Sequence, residues 1–571
     1  MSEPLRGRAG APGIALATAW LYRPKAPGTG PRRTLDEAVS VAEAELAALA
    51  GGLRDAGRSE ESAILDAQAL MARDDTLLAD AAARIAAGES ADRAIEAAGD
   101  AVAATLAALD DPLLAARAAD VRDVAARIAR AVRGEAAPRL PERAIAVAAD
   151  LPPSVTAELD RSLLAGIALE GGAPTAHAAI LARALGIPAV VGVTGLLAGL
   201  DRLGAGATIG IDGGTGEGWL MPGAAARAEL GRRGRAAAEE LASDASLRDT
   251  ALATRDGHRV RLAANIGLPA EVGRATEARA EGIGLFRTEF VFMGRQRPPS
   301  VDEQAQAYAS VLAAFDEDGA VVLRLADIGG DKELPYLGLP GEENPFLGVR
   351  AIRLAAGHRR LLVDQLRAIL RAGRMSGRQP SVMAPMVADA GDVALLGELV
   401  EEAIAQESGD GVPHRPRVGI MVELPSAALL AEQLAPNVDF FSIGTNDLTQ
   451  YLLAADRTNA ALADRQDPLH PAVLRGIAST VAGARSAGIP VAACGEMAGE
   501  PAGALLLVGL GVDELSTDPG RFGAVKRAMR AASREELEQL ARTALTLRSA
   551  AEVRERVAPL LARAARSEAA A

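Results

Sequence analysis

The chain has little cysteine, few aromatic residues, no excess of basic charge and no long apolar run, and each shortage excludes something. Cys494 is the single cysteine in 571 residues, so an internal disulfide framework is ruled out and a reducing compartment is expected. Aromatic residues make up 2% of the chain, a scarcity that accompanies abundant alanine and reads as coding bias. Formal net charge is −14, which argues against nucleic acid as the main partner, because phosphate backbones demand clustered Lys and Arg. No stretch of eighteen residues is apolar throughout, so no membrane span is expected. The start, Met1-Ser2-Glu3-Pro4-Leu5-Arg6, lacks the apolar segment of a signal peptide. A cytoplasmic location is the expectation.

What is present divides into three textures. Residues 1–25 read as a short strand region, with a turn-and-strand signal at Gly10–Ala15. Residues 34–134 carry apolar positions at three- and four-residue steps and predict a helical bundle, with breaks at Gly51-Gly52, Gly88 and Gly134. Acids outnumber bases there by roughly two to one. Residues 138–223 return to short strands, among them 144–148, 165–169 and 209–212, and predict a small α/β domain completed by residues 1–25, with the bundle inserted into it. Residues 224–250, rich in Ala, Arg and Glu and free of Pro, predict a helical linker.

From 251 to 571 strand-like runs alternate with helical stretches. Eight candidate strands, 260–264, 284–287, 321–325, 381–385, 418–422, 440–443, 490–493 and 511–515, predict a (β/α)8 barrel. Arg287, Asp327, Glu423, Asn446, Asp447 and Cys494 all fall at or just past a strand's C-terminal end. In such barrels that rim carries the chemistry. The fold class is therefore α/β multidomain.

Two constellations carry chemistry. In Gly171-Gly172-Ala173-Pro174-Thr175-Ala176-His177, a glycine-rich turn opens a helix. Backbone N–H groups can approach an anion there, and the helix N-terminus favours negative charge. Histidine keeps a neutral, nucleophilic nitrogen near pH 7, as a phosphoryl carrier must. An incidental His in a capping turn accounts for this segment about equally well. The other four histidines lack such a setting.

The second constellation is the barrel rim. It offers Arg287, Arg324, Lys332, Arg350 and Arg457 near strand ends, the set a substrate bearing both phosphate and carboxylate would need. Glu423 and Asp447 suit Mg²⁺, which usually takes one or two carboxylates plus substrate oxygens and waters. Asn446 could donate to a phosphate. Cys494, with an ordinary thiol pKa near 8.5, is a candidate proton donor to carbon. For any one arginine a surface ion pair is the better explanation; for the whole set on successive strand ends it is not.

Together these motifs resemble Enzyme I of the bacterial phosphoenolpyruvate-dependent sugar phosphotransferase system, over nearly the whole chain. The most specific stretches are 285–293, 327–336, 342–353, 419–425, 440–451 and 494–499. Ser442-Ile443-Gly444-Thr445-Asn446-Asp447-Leu448-Thr449-Gln450-Tyr451 is highly diagnostic. The resemblance implies that His177 is phosphorylated on Nε2 and that Arg287, Arg324, Asn446 and Arg457 bind phosphoenolpyruvate. It implies that Glu423 and Asp447 ligate Mg²⁺ and that Cys494 donates a proton. It also implies a carrier-protein acceptor, HPr, docking on the inserted bundle, and a homodimer formed through the barrel.

The chain departs from the family pattern at Ala176, usually Ser, and in 63–77, which resembles the partner-docking helix. Gln68 stands there where His is frequent, and Arg73-Asp74-Asp75 where the run is often more acidic. Two other readings fit the motifs. A pyruvate phosphate dikinase or phosphoenolpyruvate synthase shares the His domain and barrel but needs an ATP-binding domain, and no Walker-type loop is present. A non-catalytic regulatory relative would be expected to lack His177, Cys494 or the carboxylates.

Overall fold

A computed structural model describes residues 4–22, 32–55, 59–107, 112–172, 178–179, 182–183, 186–204, 206–293, 295, 297–316, 319–330, 334–407, 415–457 and 459–566. His177 with its neighbours Thr175 and Ala176, and Lys332, lie outside the described residues. The chain forms two compact units, residues 1–239 and 240–571.

The first unit holds an eight-stranded sheet with β1 (Leu5–Arg6), β2 (Arg8–Ala11), β3 (Ile14–Leu21), β4 (Ala144–Ala148), β5 (Leu164–Leu169), β6 (Ala189–Val191), β7 (Thr208–Asp212) and β8 (Glu217–Leu220). Their order is β1-β8-β7-β3-β4-β5-β6-β2. β3 pairs parallel with β4 and antiparallel with β7, so the N-terminal segment supplies a central strand, and with β1 and β2 both edges, of a sheet otherwise built from residues 144–220. β4 and β5 are buried along their whole length, which explains their unbroken apolar sequences.

Between β3 and β4 lies a helical bundle of α1 (Leu35–Asp55), α2 (Ser59–Met71), α3 (Asp75–Ala86), α4 (Ala91–Ala107) and α5 (Pro112–Arg133). The helices start where capping chemistry allows. Thr34 and Glu37 exchange backbone and side-chain hydrogen bonds before α1, and Asp74 accepts from the Leu77 N–H before α3. Leu46, Leu65, Leu77, Ile95 and Ile128 fill the core. Gly51-Gly52 does not break the bundle as its sequence predicts, for α1 runs through both. Each glycine there costs about 1 kcal/mol of helix propensity, a loss that packing of the apolar face around Leu46 and Ala50 outweighs. Segment 63–77, predicted as one docking helix, is instead the end of α2, a turn, and the start of α3. Gln68 is buried within it, donating to Asp120 and Asp123. Asp123 also accepts from Ser154, at the start of a short helix beyond β4, tying bundle to sheet domain.

Helix Ala224–Ser246 contains the division between the units. In the first unit Leu230 is buried and Arg233 pairs with Asp212 at 2.9 Å. In the second, Arg527 pairs with Asp244 and the Lys526 ammonium donates to the carbonyls of Leu247 and Arg248, at 3.3 and 2.8 Å. These donors satisfy carbonyls left open at a helix C-terminus.

The second unit is a closed parallel barrel of β9 (Arg261–Ile266), β10 (Ile283–Arg287), β11 (Val321–Arg324), β12 (Ser381–Ala384), β13 (Arg417–Val422), β14 (Phe440–Ile443), β15 (Val491–Ala493) and β16 (Glu514–Thr517). Seven of these overlap the expected strands closely. The eighth begins three residues later than predicted: Gly511, at φ 98°, C-caps the preceding helix instead of opening the strand. Among the described residues no helix is long and apolar enough to cross a membrane.

Gly52 sits exposed in α1, and no atom lies within 4 Å of the place an added methyl group would occupy. Gly52→Ala is therefore expected to stabilise the first unit by about 0.5–1 kcal/mol. Leu46→Ala, at a fully buried position, is expected to cost about 2–5 kcal/mol. Urea unfolding monitored by circular dichroism measures both. A loss of stability in Gly52→Ala would mean that α1 is bent at the glycine pair.

Candidate active site

The C-terminal ends of the barrel strands converge on a rim of alternating charge. Arg287 closes β10 and Arg324 closes β11, and the two are register partners on adjacent strands. Glu423 and Cys494 directly follow β13 and β15, while Asn446 and Asp447 lie in the first turn of the helix after β14. Arg457 lies in the loop after that helix. The rim residues singled out in the sequence and described here therefore share one end of the barrel.

Buried arginines need buried acids. Arg324 is 5% exposed and pairs with Glu289 at 2.6 Å and Asp327 at 3.5 Å. Asp327 is bidentate to Arg350, with Nε at 3.0 Å and Nη2 at 2.7 Å. Arg350 also donates to the Tyr451 hydroxyl and lies 3.8 Å from Asp447. Arg457 approaches Asp447 at 3.4 Å and stacks over the Phe346 ring. Burial opposes charge on Arg324 and Arg350, but the surrounding carboxylates overcome it and raise both pKa values. Both stay cationic.

Of the four rim arginines three meet carboxylates, Glu289, Asp327 and Asp447, so the pairing is uneven. Arg287, half-buried, makes no hydrogen bond or ion pair with any described residue. Glu423 is fully buried. Its Oε1 accepts the Met386 N–H at 2.7 Å, which Met386 presents from a left-handed conformation at φ 61°. Its Oε2 is buried without a hydrogen-bond partner, as is Asp447 Oδ1. Burial, and then the charges of Asp447 and Asp327, hold the Glu423 carboxyl well above the usual carboxylate range. Two carboxylates, each with a buried oxygen that accepts no hydrogen bond, form a pair that a hard divalent cation would fit. No group of three or more His, Cys, Asp or Glu able to hold a metal occurs among the described residues.

Cys494 is 2% exposed, its Sγ 3.6 Å from the Ile443 carbonyl. Burial pushes its thiol up to about 11, against the opposing pull of Ser442, Arg324 and Arg287. The sequence alone predicts an ordinary thiol pKa; the interior of the barrel makes it a firmly protonated thiol at neutral pH instead. Asn265, on β9, donates to the Cys494 carbonyl at 2.9 Å. Gly495 packs so closely that a Cβ there would lie 1.9 Å from Thr445 Oγ1, interlocking the turn after β15 with the turn after β14.

Several supporting residues are invisible to sequence reasoning. Gln365 accepts from the Ala326 N–H and donates to Thr288, whose hydroxyl donates to the Arg324 carbonyl. Glu289, the acid that neutralises Arg324, falls inside a quoted motif, but nothing in its spacing marks it as buried. Because Cys494 is the sole cysteine, the difference in ultraviolet thiolate absorbance between the wild-type chain and Cys494→Ala reports its titration alone. The midpoint is expected near 11; one at or below the ordinary value of about 8.5 would contradict the buried environment.

Comparison with known proteins gives three family matches in order along the chain. Residues 6–117 match the model described as PEP-utilising enzyme, N-terminal. Residues 140–216 match PEP-utilising enzyme, mobile domain, and residues 241–534 match PEP-utilising enzyme, PEP-binding domain. A phosphoenolpyruvate-protein phosphotransferase from Staphylococcus carnosus is 37% identical over 97% of this chain and 98% of its own length. Multiphosphoryl transfer proteins from Xanthomonas campestris pv. campestris and Rhodobacter capsulatus are 41% and 44% identical over 91% and 86% of this chain. The chain spans 62% and 59% of the lengths of those two.

Proposed function

The chain belongs to the family of phosphoenolpyruvate-utilising enzymes, and from that premise we propose that it is a phosphoenolpyruvate-protein phosphotransferase. It moves the phosphoryl group of phosphoenolpyruvate to His177, then to a histidine of the carrier protein HPr, and releases pyruvate. The observation that carries this reading is the division of labour on the rim. Arg287 has no described acid partner, while Glu423 Oε2 and Asp447 Oδ1 are buried without a hydrogen bond, the latter facing Arg457 at 3.4 Å.

Arg287, Arg324 and Arg457 bind the substrate's anionic groups, and Asn446 donates to its phosphate. Glu423 and Asp447 would hold Mg²⁺, which, when bound, neutralises charge on the transferring phosphoryl group. The His177 Nε2 lone pair forms the new N–P bond as the P–O bond to the enolate breaks. Cys494 gives its proton to the enolate carbon, completing pyruvate and leaving a thiolate. The raised thiol pKa supports this role, because the donor is fully protonated before the step. Exposed Phe290, Met293, Leu347 and Val349, in the segments that follow β10 and β11, support a homodimer formed through that unit. The location we propose is the cytoplasm.

Incubation with labelled phosphoenolpyruvate and Mg²⁺ is expected to give an acid-labile phosphoenzyme and, with HPr added, labelled HPr. His177→Ala is expected to form neither. Label that appears only with ATP would instead favour dikinase chemistry. Protons and metal compete for Glu423, whose folded pKa is raised, so apparent Mg²⁺ affinity is expected to strengthen by up to about tenfold per unit as pH rises from about 5 toward 8. Calorimetry in two buffers of different ionisation enthalpy should show proton release on Mg²⁺ binding at pH 7. No release would contradict the assignment of Glu423.

A further inference from the structure

Asn446 can serve a phosphate only if its amide presents N–H, not C=O, and the structure contains a device that decides this. The Glu496 backbone N–H donates to Asn446 Oδ1 at 3.0 Å, and Asn446 Nδ2 donates to Glu496 Oε1 at 3.3 Å. The orientation follows from chemistry. A backbone N–H bonds only an acceptor and a carboxylate bonds only a donor, so both contacts require Oδ1 and Nδ2 where they are. Reversing the amide would place two donors and two acceptors against each other.

We propose that Glu496 is a positioning residue for phosphoryl transfer: its reciprocal bonds with Asn446 hold the asparagine amide with its second N–H toward the substrate phosphate. That second Nδ2 hydrogen has no acceptor among the described residues. The inference rests on the function proposed above and adds to it a residue two positions from Cys494. It also gives the turn a purpose. Cys494 and Glu496 share one short segment, pinned by Asn265 at the Cys494 carbonyl and by Asn446 at the Glu496 N–H. The group that meets the phosphate and the group that meets the enolate carbon are thereby set at a fixed separation. Glu496 is exposed and its side chain makes no other hydrogen bond or ion pair with a described residue, so a purely structural contribution from its carboxylate is small.

The test is single-turnover pyruvate release by the full-length protein with Mg²⁺, read as maximal rate and half-saturating phosphoenolpyruvate concentration. Glu496→Ala is expected to raise the half-saturating concentration about tenfold with an unchanged thermal midpoint. Glu496→Gln, which keeps an acceptor oxygen, is expected to recover most of that loss. Asn446→Ala is expected to show a similar rise, with no further rise in the double variant, since the two act as one unit. Equal saturation by Glu496→Ala and wild type, or independent multiplication of the two effects, overturns the inference while leaving the parent reading intact. Failure of the wild-type protein to release pyruvate overturns both.

Discussion

The bidentate pair between Asp327 and Arg350 is the interaction on which the rim depends. Both groups are buried, with exposures of 2% and 1%, and each is the other's nearest counter-charge at 2.7 Å. Their contact seats the loop after β11 against the helix that follows β14, because Arg350 reaches on to Tyr451 and toward Asp447. Asp327 also faces Arg324, so one carboxylate steadies two cations. Replacing charges so deeply buried by apolar groups often costs little, whereas removing one partner alone is expensive. This motif is thus an all-or-none unit whose value lies in the fixed positions it gives its neighbours.

That neutralised frame explains why the remaining groups can act. Glu289 and Asp327 satisfy Arg324 and Arg350, leaving the less committed residues at the mouth. Arg287 stands on the rim without a described acid, and Glu423 Oε2 and Asp447 Oδ1 are buried without a hydrogen bond. A site of balanced charge discriminates through geometry more than through bulk attraction. A ligand gains there only if it brings negative oxygens to the arginines and shares a cation with the acids. The same dry interior that raises the Glu423 carboxyl keeps the Cys494 thiol intact.

Much of this was legible in the sequence, for physical reasons. Barrel strands are short apolar runs followed at once by a polar residue, so strand ends and rim residues announced themselves together at Arg287, Glu423 and Cys494. The motif spanning Ser442 to Tyr451 placed Asn446 and Asp447 correctly because a strand, a tight turn and a helix start are all local. What failed was non-local. Gly51-Gly52 looked like a break because propensity is local, while burial of Leu46 and Ala50 is set by partner helices. Gln68, within the segment that resembles a docking helix, is buried against Asp120 and Asp123 from α5. The Gln365–Thr288 bond joins residues 77 apart, and no spacing rule reaches that far. His177, the residue the proposed function most needs, lies outside the described residues, so its proposed role rests on its glycine-rich sequence and on family membership.

The central claim is that the rim binds phosphoenolpyruvate through Arg287, the rim arginine that has no acid partner among the described residues. Equilibrium binding of labelled phosphoenolpyruvate to a His177→Ala chain with Mg²⁺ tests it without turnover. Saturable binding is predicted, weakened at least about tenfold when Arg287→Ala is added, the loss expected for one charge-assisted contact. Binding that is absent, or indifferent to Arg287, would contradict the account.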